Sequence, residues 1–151
     1  MITLRLPSHF PVRATEWMLA CMKASWGAVL LLPFDMFNAG PTAAIFAGLR
    51  AIAPQPVWGT VAFGIGMFHL AALYVNGTRR KSPHVRGFCS GVGVLFWSMV
   101  CVGIATSNVF TTGWAVYPWF VVFSVYNVVR AMQDARLSDE RSRGGVVGGG
   151  R

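Results

Sequence analysis

From Gly87 to Val129 the chain runs 43 residues without an Asp, Glu, Lys or Arg, and the stretch just before it, Arg79-Arg80-Lys81-Ser82-Pro83-His84-Val85-Arg86, is mostly basic. A bilayer's hydrocarbon core is about 30 Å thick and takes about 20 apolar residues per helix, so the run is long enough for two crossings. Polar residues at Thr106-Ser107-Asn108 and Thr111-Thr112-Gly113 divide it near its middle. The run is a membrane signature.

The 151 residues are 54% hydrophobic and 12% charged, whereas about a quarter of the residues of a soluble domain are charged. One small helical membrane domain is the class that fits. A net charge of +8 raises the question of nucleic acid, but the 13 basic residues sit beside the apolar segments and not along one soluble face, so no nucleic-acid partner is expected. The three cysteines, Cys21, Cys89 and Cys101, fall inside apolar segments and form no CxxC pair. No disulfide framework or metal site is implied, and the thiols are expected to pack as small apolar groups. The first apolar run begins only after Pro7, Pro11 and Arg13 and lacks a small-residue cleavage pattern; the first span is expected to stay attached.

The expected fold is all-α: an integral membrane, antiparallel four-helix bundle with a short interfacial helix between the first two spans. Residues 1–14 read as an N-terminal arm and 15–136 as the four-span domain. Residues 137–151, ending in a glycine-rich stretch, read as a disordered cytoplasmic tail. The first span covers about 16–35, with Thr15 as its cap and Pro33 near its end. An interfacial helix covers about 42–52, where Ile45, Phe46, Leu49 and Ile52 recur at helical spacing over too few turns to cross a bilayer. The remaining spans cover about 57–76, 87–106 and 113–132. Gly77 is placed to end the second, Ser82-Pro83 to start the helix of the third, and Pro118 to kink the fourth.

Cytoplasmic loops carry the excess of Lys and Arg. With four spans, eleven of the thirteen basic residues fall on one side, Arg50 alone lies opposite, and Lys23 is intramembrane. The expectation is a multi-pass protein of the bacterial inner (cytoplasmic) membrane with both termini and the central loop in the cytoplasm.

Helices in lipid associate through small residues and a few interhelical hydrogen bonds. The candidate packing stripe is Gly59, Ala62 and Gly66 on the second span and Gly87 and Gly91 on the third, continued on the third by Val94, Ser98, Cys101 and Ala105. The first span offers Glu16, Ala20, Lys23 and Gly27, and the fourth Tyr117, Ser124, Asn127 and Ala131. Counted from the cytoplasmic ends, Lys23 and His69 fall at one depth, with Asn127 and Ser90 near enough to join them in an intramembrane polar layer. Ionisable groups cost about 3 kcal/mol in mid-span, so such a layer is a candidate relay for protons or cations, with His69 as the titrating group. The plainer alternative has Lys23 snorkelling to the headgroups and His69 hydrogen-bonding between helices. Asp35 and Arg50 form a candidate ion pair on the outer side. Arg79, Arg80, Lys81 and Arg86 are candidate contacts for anionic lipid, although orientation alone accounts for them.

No reaction is supported. A bundle haem needs two facing ligands, and only His69 lies within a span, with His84 expected in a loop and His9 in the arm. A membrane thiol oxidoreductase needs a vicinal cysteine pair, and a four-helix exporter needs an acid deep in its first span, where Glu16 is expected at the edge. No cofactor is expected.

The order of several landmarks resembles a group of short four-span membrane proteins encoded in tailed bacteriophage and prophage genomes. The matching pieces are Leu30-Leu31-Leu32-Pro33-Phe34-Asp35-Met36-Phe37, Ala53-Pro54 with Val57-Trp58-Gly59, and Leu73-Tyr74-Val75-Asn76-Gly77. Further on come Thr112-Gly113-Trp114-Ala115-Val116-Tyr117-Pro118 and Tyr126-Asn127-Val128-Val129-Arg130-Ala131. The resemblance covers about residues 15–136, and Phe34 stands where the pattern has Gly before the acidic residue. It implies a phage origin and a bacterial inner membrane, and it carries over no catalytic residue. The functional expectation is a non-enzymatic scaffold or interaction protein whose partners are membrane lipids, an unidentified phage or host membrane protein, or a second copy of the chain. The alternatives are a holin-like permeabilising protein and a small proton or cation conductor.

Overall fold

Helices are the regular elements of the computed structural model, which describes residues 13–78 and 83–147, the side chains of 76–78 and 141–147 excepted. The helices are α1 (Ala14–Leu30), α2 (Ala47–Ile52), α3 (Gln55–Thr78), α4 (Pro83–Ala105) and α5 (Gly113–Val147). Three segments, Gln55–Val75, Pro83–Ala105 and Gly113–Glu140, are long and apolar enough to cross a membrane. α1 has 17 residues, about 25 Å at about 1.5 Å per residue.

Local chemistry sets most boundaries. α4 opens on Pro83, whose fixed φ suits a first helical position that has no use for an N–H. α1 stops at Leu30, short of the expected 35, because Pro33 disfavours helical backbone at Leu32 and offers no donor to continue the ladder. Its N-terminal boundary is Arg13, and the hydroxyl of Thr15, the expected cap, is used elsewhere. α3 runs through Gly77 to Thr78, past the expected 76. α5 carries Pro118 inside it and continues to Val147, where a disordered tail from 137 was expected. The stretch 133–143 contains neither Gly nor Pro, and Arg136 and Glu140 stand four residues apart, a spacing that supports a helix. Of the expected arm, residues 1–12 lie outside the described residues, as do 148–151 of the tail.

α1 packs on α3 and α4 on α5, and α1 and α2 join the two pairs through α5 and α4. Backbones approach where side chains are missing. A Cβ on Gly27 would stand 2.8 Å from Phe63 Cα, and one on Gly66 2.8 Å from Ala24 Cα. Ala62 is buried and Gly59 faces Leu31. On α4 the buried face is Arg86, Cys89, Ser90, Gly93, Phe96, Trp97, Val100, Gly103 and Ile104, so the third stripe lies elsewhere than expected. Gly91 has open space where a Cβ would stand, and Gly87 reaches only ordinary contact with Ala131. The close approach belongs to Gly103, against Leu49 and Gly48 of α2. Apolar side chains fitted there dictate the face, which the small-residue count on α4 alone did not reveal.

The segment between α1 and α3 is tucked in rather than laid flat. Residues 41–46 are turns, and the helix proper is only Ala47–Ile52, shorter than the expected 42–52. Gln55 is fully engaged: Nε2 donates to the Leu30 and Phe34 carbonyls (2.9 and 2.7 Å), and Oε1 accepts from the Phe37 N–H (3.1 Å). Trp58 Nε1 donates to Leu49 O at 3.0 Å. Phe37 stacks on Phe46, with ring centroids 5.0 Å apart. Deeper in, Trp26, Phe96, Trp97, Tyr117 and Phe120 fill the middle with edge and tilted ring contacts.

Candidate functional site

Below the aromatic layer the interior turns polar. Lys23 and His69 are 1% and 2% exposed, and Lys23 Nζ lies 3.1 Å from His69 Nδ1. α1 and α3 are drawn close enough for this contact by Ala24 seated against Gly66. Lys23 also faces α4 and α5, since the Cβ that Gly93 lacks would stand 3.2 Å from Nζ and 3.3 Å from Ser124 Oγ. The Ser124 hydroxyl donates to the Phe120 carbonyl at 2.6 Å. The structure therefore brings Lys23 and His69 into contact, and it buries Ser90 and Asn127 on the facing helices. Lys23 points inward and does not snorkel.

Asn127 Oδ1 accepts from Thr15 Oγ1 at 2.8 Å, which ties α5 to the start of α1. Trp26 Nε1 donates to the Tyr117 hydroxyl at 3.3 Å and ties the same pair of helices higher up.

Nearest the α1 start lies a buried ion cluster that sequence reasoning missed. Arg86 is 4% exposed; Nε donates to Glu16 Oε2 at 2.9 Å, Nη2 pairs with Glu16 Oε1, and Nη1 donates to Asp134 Oδ2 at 2.7 Å. Glu16, in the first turn of α1 as expected, is 1% exposed, and Arg86 is a structural cation, not a lipid contact. The other three residues expected to meet anionic lipid, Arg79, Arg80 and Lys81, lie outside the described residues. Arg13, half-buried beside this cluster, is held below the ordinary arginine range, first by burial and then by the positive charge of Arg86. The available signal was scarcity. With five acids in the chain, one at the start of the first span needs a cation, and Arg86 directly precedes the charge-free run.

The expected outer pair does not form. Asp35 Oδ1 accepts from the N–H and side-chain amide of Asn38, and Arg50 Nη1 donates to the Phe37 carbonyl at 2.9 Å. Asp35 thus closes a local turn, and Arg50 ties α2 back to Phe37 within the α1–α3 connection. His84 lies in the first turn of α4 rather than in a loop, and it is exposed. Cys21 is exposed rather than packed, while Cys89 is buried. Among the described residues no three His, Cys, Asp or Glu side chains gather as metal ligands.

Buried Glu16, Lys23, His69 and Arg86 stand against an outer surface of Phe68, Phe88, Leu95, Val102, Val122 and Val129, the inverse of a water-soluble protein. Over its described residues the chain is thus all-helical, with three helices long and apolar enough to cross a membrane. No family model, no curated protein and no solved structure matches it.

Proposed function

We propose that this chain is a four-span protein of a bacterial inner membrane, of phage type, that works as a scaffold or interaction module. The observation that carries the reading is the inversion of polarity: ionised and amide groups inside, large apolar side chains outside. Lipid is the solvent such a surface suits. α1 serves as the fourth span, because it follows α3 from the Leu30–Gln55 contact to the Lys23–His69 contact and then reaches Arg86 at the opposite end. Lys23 and the N-terminal half of α1 then share a side with the basic loop and the C-terminal part of α5, which orients that side to the cytoplasm.

The filled interior supports a scaffold over a pore. Trp97 is fully buried among Trp26, Tyr117 and Phe120, and below it a cation would meet the buried Lys23 side chain. α5, with 35 residues, is about 50 Å long, so roughly 15 residues project beyond the bilayer as a handle for a partner.

Two measurements test the reading. Reporter fusions should place both termini in the cytoplasm; a periplasmic N-terminus would reduce the spans to three. A potential-sensitive dye during induced expression should report an intact membrane potential, equal to that with an unrelated four-span control. Sudden depolarisation would replace the scaffold with a holin, and a gradual leak abolished by His69→Ala would replace it with a conductor.

A further inference from the structure

We infer that the seam between α1 and α5 holds one anionic phospholipid of the cytoplasmic leaflet, with its phosphate at Arg13 and Arg130 and an acyl chain in the groove above them. The inference rests on the four-span reading, which sets the α1 start at the cytoplasmic surface.

The groove is the first observation. α1 and α5 are tied at two levels, by Thr15 Oγ1 on Asn127 Oδ1 at 2.8 Å and by Trp26 Nε1 on the Tyr117 hydroxyl at 3.3 Å. Between the ties the helices part. A groove of about 150 Å³ opens there, lined by Thr15, Met18, Leu19 and Met22 of α1 and by Phe120 and Phe123 of α5. Met18 and Phe123 are exposed, so it faces the outer surface. The Thr15 hydroxyl is spent on Asn127, which leaves a lining that offers an occupant apolar groups. An apolar cavity of this size stays dry and accepts hydrocarbon. From Thr15 to Met22 the groove follows α1 for about 10 Å, within the roughly 15 Å of one leaflet's hydrocarbon.

Charge at the shallow end is the second observation. Arg130 follows Phe123 by seven residues, about two helical turns, and so stands on the groove edge of α5 nearer the cytoplasm. Arg13 precedes Thr15 by two residues and lies within electrostatic reach of Arg130. Three arginines, Arg13, Arg86 and Arg130, thus gather around two acids, Glu16 and Asp134, and both acids are bonded to Arg86. Among the described residues neither Arg13 nor Arg130 has a carboxylate within ion-pair distance. Arg13 Nη1 is enclosed without a hydrogen-bond partner, so water screens that charge poorly. An anion relieves the repulsion between two such guanidinium groups, and a phosphate accepts from both in forked geometry.

The two features together select the ligand. A free phosphate leaves the groove empty, and a zwitterionic lipid brings its own cation to the arginines. A diacyl phospholipid with one net negative charge answers both, and the cytoplasmic leaflet supplies it.

The test is native mass spectrometry of the purified full chain, released from detergent micelles after titration with dioleoyl phosphatidylglycerol or dioleoyl phosphatidylcholine. The expected result is one phosphatidylglycerol retained per chain, several-fold more tightly than phosphatidylcholine and not displaced by glycerol phosphate. Arg130→Gln should bring its retention down to the phosphatidylcholine level, and Met18→Trp, which lays a ring over the groove, should weaken it several-fold. Arg136→Gln, the same charge change on another, exposed face of α5, should leave it unchanged. If Arg130→Gln does not fold, Arg13→Gln makes the same comparison from the α1 side. Equal retention of the two lipids by the wild-type chain, displacement by glycerol phosphate, or a dimer in place of the lipid-bound chain would overturn the inference. Equal losses in Arg130→Gln and Arg136→Gln would do so too. Reporter fusions keep this site apart from the reading beneath it: a cytoplasmic N-terminus without phosphatidylglycerol selectivity overturns the site alone, and a periplasmic one overturns both.

Discussion

Replacing Glu16 by Gln keeps the size of the side chain and removes one charge from the buried cluster at the start of α1. Arg86 would remain 4% exposed with two of its three described ionic hydrogen bonds weakened, and only the half-exposed Asp134 would still face it as an ion. Removing one partner of a buried pair typically costs about 3–5 kcal/mol, because the other charge stays buried. Interhelical polar contacts in membranes average less, about 0.6 kcal/mol. The Glu16 pair is bidentate, ionised and enclosed, so the expected loss is at the higher scale, about 3 kcal/mol, or roughly a hundredfold in the folding equilibrium. Asp134→Asn is the internal control. Its side chain is 46% exposed, and solvent screening holds its cost to about 0–1 kcal/mol. The measurement is reversible unfolding in mixed micelles of rising sodium dodecyl sulfate fraction, followed by circular dichroism. The double variant Glu16→Leu/Arg86→Leu should recover much of the loss, since no charge is then left buried. Equal costs for Glu16→Gln and Asp134→Asn, both under about 1 kcal/mol, would refute the view that this cluster holds α1 to α4.

Three further outcomes are checked by the same unfolding assay. Gly66→Leu should strongly destabilise the chain by forcing α3 off Ala24, while Phe63→Leu, an exposed side chain, should be tolerated; equal stability of the two would refute the α1–α3 contact. Gly103→Ala should cost more than Gly91→Ala, because the first meets Leu49 and the second meets open space; the reverse order would mean α4 is turned the other way. Gln55→Leu should cost about 2 kcal/mol or more, since Leu30 O, Phe34 O and Phe37 N lose the side chain that serves them, and an effect below about 0.5 kcal/mol would show that these groups find other partners.

The four polar residues picked out by depth, Lys23, His69, Ser90 and Asn127, are all buried, and one pair of them touches. Depth was readable because a helix advances by a constant rise, so residue counts from a span's end convert directly to level. Facing was less readable. Lys23 on α1, His69 on α3 and Ser124 and Asn127 on α5 stand out against apolar neighbours and mark the inward side, whereas Ser25 and Thr60 face outward on bonds to their own helix. α4 has glycine on several faces, and only the aromatic and β-branched side chains that fit against α2 and α5 select the one that is buried. The Arg86 cluster and the Gln55 node were hidden for a related reason. Their partners lie 70 and 25 residues away at most, and no local pattern links them.

Sequence alone determined that the chain is helical and apolar enough to enter a membrane, because the absence of charge over 43 residues is a statement about solvent that needs no fold. Proline also marked the start of α4 at Pro83, while α3 ran past Gly77 and α5 continued past 132 to Val147. Tertiary structure decided which charges are solvated by water and which by each other. Arg86 read as a lipid contact and Arg50 as the partner of Asp35, yet one closes a buried ion cluster and the other bonds the Phe37 carbonyl. That difference depends on which distant carboxylates and carbonyls the packing brings within hydrogen-bond reach, and hydrogen bonds act over about 3 Å while sequence patterns report only on neighbours along one helix.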